Sequence, residues 1–228
     1  MITLTLMLAC GGSPTTGDSA GDTGTSDTGP ASLGLGVVSG DCGVLDDEWQ
    51  SSDPFTARNA VDLSGWDEAL LSDEGRTVWE AGNLGGSSLE SEVLAFEVLQ
   101  ACEGAGLLKT EGEIAYDDEG GKKTDLLLDI DGVQVGVSVT RAFHYPPGEP
   151  YTAAEAVALL EDKFDDLTAS AQNAADSDAW GRSMLHVVAY DAQHADEIDT
   201  AWLGLEGAVK GDHGLIVTVT DGDDEAIY

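Results

Sequence analysis

Positive charge is the scarcest commodity in this chain: nine Lys and Arg stand against 44 Asp and Glu, a formal net charge of −35 over 228 residues. Nucleic-acid binding draws on basic stripes that release counterions from phosphate. The one adjacent basic pair, Lys122-Lys123, is no such footprint, so no nucleic-acid partner is expected. Aromatic residues are few, at 6%. The four histidines, His144, His186, His194 and His213, nowhere fall at metal-ligand spacing, and His186 inside an apolar run reads as a core residue. Neither Ser138 nor Ser183 sits in the full Gly-x-Ser-x-Gly of a nucleophile elbow, which argues against a hydrolase triad. The acidic excess itself reads as a solubility device or an adaptation to salt outside the cell.

What is present begins with an address. Leu8-Ala9-Cys10-Gly11 closes a short apolar stretch, with small residues where a signal-peptide cleavage site wants them. The stretch is too short to span a bilayer, and no Lys or Arg stands ahead of it. Residues 1–9 are therefore predicted to be a lipoprotein signal peptide and Cys10 the acylated residue, which makes the membrane a partner through a lipid anchor. Gly11 and Gly12 carry no charge, so the acidic signal for inner-membrane retention is missing and the outer membrane of a bacterial cell envelope is the expected location. After Cys10, residues to 39 are Gly, Ser, Thr and Asp with Pro14 and Pro30, apart from a few small aliphatics mostly near the end. The segment 10–39 is too polar to offset its ordering entropy and reads as a disordered tether. Once Cys10 is acylated, Cys42 and Cys102 remain as an even pair in an oxidising compartment. A disulfide between them is predicted.

Residues 40–228 are long enough for one well-packed domain. From 41 to 86 Trp49, Phe55, Trp66 and Trp79 are scattered without a sustained period, which predicts short pieces capping one side of the core. The core should occupy 87–228. Ser87 and Glu90 have capping-box spacing ahead of a helix to Cys102, with Leu89, Val93, Phe96 and Gln100 on one face, and Gly104 and Gly106 stop it. A strand is expected over 113–116. Runs at 124–130 and 133–141 flank Asp131-Gly132, the pair suited to a two-residue hairpin. Thr152 and Glu155 begin another helix, 184–190 reads as a buried strand, Asp191 caps a helix and 215–220 is a last strand. The order helix, three strands, helix, strand, helix, strand predicts an α/β fold: an αβββαβ core with an additional C-terminal helix and strand, preceded by an irregular N-terminal extension.

That order, with Asp125 just after Lys123-Thr124, resembles the PD-(D/E)xK nuclease-like superfamily, whose restriction-endonuclease-like fold carries an Asp at the start of its second strand and Glu-x-Lys on its third. The run Gly136-Val137-Ser138-Val139-Thr140-Arg141, with Asp41-Cys42-Gly43 and Leu185-His186-Val187, is also similar to a set of uncharacterised predicted lipoproteins of myxobacterial type. The superfamily resemblance implies carboxylates holding one or two divalent metals, and a Lys that orients water and offsets phosphate charge.

Here the Glu position reads Ser138 and the Lys position Thr140, hydroxyls that alternation places on one strand face. Migrated partners would have to come from Glu92, Glu97, Asp129 and Lys163, or Arg141 as a cation. Each also reads as an ordinary solvated or ion-paired group. The expectation is a lipid-anchored envelope domain without catalysis or cofactor, acting as a binding or structural module toward a protein or small-molecule ligand. The alternative is a divergent Mg2+- or Mn2+-dependent nuclease or phosphodiesterase with Asp125 as a metal ligand. Asp221-Gly222-Asp223-Asp224-Glu225 lacks the sixth-position Gly of a calcium loop, and the aromatic loop 143–148 is a place where a ligand or a protein could touch.

Overall fold

A computed structural model describes residues 31–33, 36–84, 88–144, 149–222 and 227. The predicted signal segment, Cys10, Ser87 and the tips of the 143–148 and 221–225 loops lie outside the described residues. In chain order the elements are β1 (Ala31–Leu33), β2 (Gly36–Gly40), β3 (Phe55–Val61), α1 (Asp73–Ala81), α2 (Leu89–Glu103), β4 (Gly106–Thr110), β5 (Leu126–Ile130), β6 (Val133–Ala142), α3 (Ala153–Asn173), β7 (Arg182–Ala189), α4 (Ala192–Gly204), α5 (Gly207–Lys210) and β8 (Gly214–Val219).

The strands form one mixed sheet of eight in the order β1-β2-β3-β8-β7-β6-β5-β4. Its centre, β3, β8, β7 and β6, is parallel, and antiparallel pairs flank it on both sides. Central parallel strands are covered on both faces, and β7 is buried at every residue. Its alternate side chains feed two cores: Met184 and Val188 pack with Val93, Phe96 and Leu99 of α2, while Leu185, Val187 and Ala189 pack with Leu160, Phe164 and Leu167 of α3 and Ile198 and Trp202 of α4. The result is a three-layer α/β/α arrangement.

Several local signals act as expected. Asp131 and Gly132 take φ of 52° and 78°, the left-handed pair that a tight hairpin between β5 and β6 demands. Thr152 and Glu155 form a reciprocal capping box, the Asp191 side chain accepts from the His194 N–H, and Gly104 ends α2 at φ 65°. The Cys42–Cys102 disulfide is present and joins the segment after β2 to the last turn of α2.

Other expectations fail for identifiable reasons. The segment 41–86 is no mere cap, because β3 lies inside the sheet beside β8 and α1 packs on α2. Phe55, Ala57, Asn59 and Val61 of β3 point inward, and the polar Asn59 broke the apolar alternation that would have marked the strand. Its Oδ1 accepts from the Thr218 hydroxyl at 2.7 Å, which satisfies the amide inside the sheet. Likewise β1 and β2 fall within the stretch expected to be tether and extend the sheet from β3, so the ordered domain starts before residue 40. The strand expected over 113–116 is replaced by β4, nearer α2. Thr110 and Glu113 form a capping box that turns the following residues into one 3-10 turn, leaving Tyr116 a single bridge to Ala174. Finally, α2 is buried on all sides from Ser91 to Leu99 rather than along one face, since β6 and β7 lie beneath it and α1 and β1 lie against it.

Candidate functional site

Asp125 sits one residue before β5, where it is tied to β6 through backbone and side chain. Its N–H donates to the Val137 carbonyl at 3.0 Å, and its Oδ2 accepts from the Val139 N–H at 2.6 Å. Burial, reinforced by the negative charge of Glu92, pushes the Asp125 carboxyl up to about 7, against the Val139 hydrogen bond and the distant Lys163 ammonium. Glu92, in the first turn of α2, is 3% exposed. Its Oε1 accepts from the Ser88 hydroxyl at 2.8 Å and from Asn83 Nδ2 at 3.1 Å. Burial raises this carboxyl too, helped by Glu111 and Glu90 and opposed by Ser88.

The residues singled out from the sequence thus separate. Asp125, Glu92 and Lys163 of α3 come within electrostatic reach of one another around the start of β5. Ser138 and Thr140 are half-buried on the β6 face opposite Val137 and Val139, and the Ser138 hydroxyl lies 3.4 Å from that of Thr124. Glu97 leaves the group: it accepts from the Ser72 N–H at 2.9 Å and hydroxyl at 2.8 Å, anchoring the start of α1 to α2. Asp129 accepts from the Gly132 N–H at 3.2 Å and belongs to the hairpin turn. Arg141 donates from Nε to the Ser91 hydroxyl at 2.5 Å. Sequence reasoning missed Glu111, whose charge reaches both carboxyls; the Thr110-to-Glu113 capping-box spacing is the signal that fixes its turn.

Chemically this is a pair of hindered carboxyls. Among the described residues no three His, Cys, Asp or Glu side chains gather in a way that could hold a metal ion. Asp125 and Glu92 each have one oxygen engaged by protein donors, burial shifts both carboxyls toward higher pKa, and hydroxyls stand where a second strand carboxylate and a lysine would act. The donor set does not fit the divalent-metal centre that the superfamily resemblance implies.

The histidines have structural partners. His186 is fully buried in β7, its Nε2 2.7 Å from the Thr218 hydroxyl, and burial drives it down to about 3. His194 lies 2.7 Å from Asp191 and stacks on Tyr151. No described helix is long and apolar enough to cross a membrane.

No family model matches the chain. A curated protein of Dictyostelium discoideum, described as the AAC-rich mRNA clone AAC4 protein, is 40% identical over 124 residues, covering 52% of this chain. The chain spans only 18% of that protein's length. Among solved structures, the SfsA protein of Pyrococcus furiosus in complex with Ca2+ matches at a TM-score of 0.31 and 12% identity, over 57% of this chain and 56% of that one.

Proposed function

We propose that this protein is a lipid-anchored module of the bacterial cell envelope, with a PD-(D/E)xK-like core that binds or scaffolds and does not cut nucleic acid. One observation carries the loss of catalysis: Asp125 is stitched to Val139 and faces the buried Glu92, while Ser138 and Thr140 occupy the strand positions of the missing Glu and Lys. A phosphodiester site needs open carboxylate oxygens for metal and a cation close to the scissile phosphate. The element order α2, β4, β5, β6, α3, β7 supports the core assignment, and a net charge of −35 supports exclusion of polyanions. The disulfide supports an oxidising compartment.

The test uses full-length detergent-purified protein with plasmid DNA and RNA in Mg2+ or Mn2+, and calorimetric titration of each ion. Both substrates should stay intact, with no saturable metal heat that depends on Asp125. Metal-dependent cleavage that disappears in Asp125→Ala would overturn the reading in favour of the divergent nuclease, with Glu92 and Lys163 as the migrated partners.

The anchor rests on Leu8-Ala9-Cys10-Gly11. In the native host, Cys10→Ala should move the protein from the membrane to the soluble fraction or leave it unprocessed, because acylation with more than one chain anchors stably. Identical fractionation of the native and variant proteins would refute it.

A further inference from the structure

At the end of the sheet where β7 and β8 begin, two open clefts of about 450 and 520 Å³ share Gly181, Arg182 and Asp212 and so make one trough. It is separate from the Asp125 site, since Arg182 is paired with Val135 at the opposite end of β6 from Val139. Arg182 is 4% exposed, yet among the described residues it forms no ion pair. Its Nη2 donates to the Asp53 carbonyl at 2.5 Å, its Nε has no partner, and its plane lies over the Phe55 ring at 4.9 Å. A buried cation in contact with a carbonyl and an aromatic face, and offset only at longer range by the charges of Asp212 and Asp53, is costly for the fold and well suited to a carboxylate in direct contact.

A second unused donor lines the same trough. His213 is 7% exposed, stacks on Phe164, and holds Nε2 3.0 Å from the Thr168 hydroxyl. With that hydroxyl donating to Nε2, the proton of the neutral ring lies on Nδ1, which is buried and has no hydrogen-bond partner. Asp212 is the third group: its side chain is 56% exposed, and its carboxylate stands 3.7 Å from His213 Nδ1, beyond hydrogen-bond distance.

A simple anion is disfavoured here, both by Asp212 and by the charge of the whole chain. A net-neutral ligand that carries a carboxylate for Arg182 and an ammonium for Asp212 escapes both penalties. Much of the remaining lining is polar, with Gln50, Ser51, Ser52 and Gln172, but the side around Trp180 is apolar and fixed. The Trp180 indole N–H donates to the Ser183 hydroxyl at 2.9 Å, and its ring lies so close over Gly136 that a Cβ there would stand 2.4 Å from it. Ala171 and Ala208 complete that side. Rigid walls reduce the ordering cost of binding.

We infer that this trough binds a free amino acid with an apolar side chain, its carboxylate on Arg182 and His213 Nδ1, its ammonium against Asp212, and its side chain beside Trp180. L-leucine is the probe, compared by calorimetry with N-acetyl-L-leucine and L-leucinamide on the full-length protein. L-leucine should bind saturably and each truncated analogue about tenfold more weakly. Asp212→Asn, a substitution at an exposed position that should leave the fold intact, should weaken L-leucine about tenfold while leaving N-acetyl-L-leucine unchanged or tighter. Arg182→Lys keeps the charge but loses the planar fork, and should weaken both. No saturable heat with L-leucine, L-alanine or L-phenylalanine up to about 10 mM, or equal affinity for L-leucine and L-leucinamide, would overturn the inference.

Discussion

Cys102→Ser should lower the unfolding free energy by about 4 kcal/mol, the loop-closure term for a bridge across 60 residues. For a domain of this size that corresponds to a melting temperature about 10 °C lower. The effect should be that large because the bridge closes a topologically long connection. Cys42 follows β2 on one side of the sheet centre, and Cys102 ends α2, the helix that packs across β6 and β7. Between them the chain must place β3 in the sheet and α1 on α2, so the crosslink removes most of the unfolded chain's freedom to separate these layers. The native contacts beside it remain in the variant, including Gly43 N–H to Glu103 Oε1 at 3.0 Å, so the loss reports the crosslink rather than a broken site. Thermal scans of native, reduced and Cys102→Ser protein would measure it. Equal melting of all three, with the bridge verified by non-reducing peptide mapping, would refute the estimate.

The parts of the fold that could be read in the sequence are those whose signals are local. Asp131-Gly132 dictates a left-handed turn pair, Thr152 and Glu155 satisfy each other's backbone, and Met184 to Ala189 is apolar but for His186 because both faces of β7 are covered. What was illegible depends on distant partners. Asn59 becomes a strand residue only because Thr218, far along the chain, supplies a hydroxyl, and α2 is buried on all sides only because α1 and β1 return to cover it. The candidate site divides in the same way. Asp125 and Ser138 were visible through a strand motif, and Glu92 and Lys163 were two of several helix-borne candidates that only the packing could select. The Arg182 trough left no motif, since its groups come from the starts of two parallel strands and from α3.

Asp125→Asn should tilt the dependence of stability on pH, because Asp125 and His186 exert opposite effects in the native protein. The Asp125 carboxyl, raised from 3.8 to about 7 chiefly by burial, keeps its proton in the folded state while the unfolded chain gives it up. Its contribution is therefore fully present below pH 3.8 and is lost as pH rises through about 7, at about 1.4 kcal/mol per pH unit. His186 is lowered from 6.5 to about 3 by burial, so the unfolded chain binds a proton that the folded state refuses. Its neutral form stabilises above pH 6.5 and that contribution is lost as pH falls toward 3, with a slope of similar size and opposite sign. Between pH 3.8 and 6.5 the two proton balances cancel. Asparagine at 125 can still accept from the Val139 N–H but has no proton to lose. The variant should therefore exceed the native protein in stability above pH 7, by up to about 4 kcal/mol, and lose that advantage steadily on acidification. His186→Gln, which keeps a donor toward Thr218, should tilt the curve the other way. Urea unfolding followed by circular dichroism across this range gives the difference between native and variant directly, so the other acids drop out. Parallel curves for native and Asp125→Asn would mean that Asp125 ionises normally in the folded state. A rise in stability on its replacement would instead mark Asp125 as a residue held at a cost to the fold, which is the pattern expected where a side chain serves binding rather than packing.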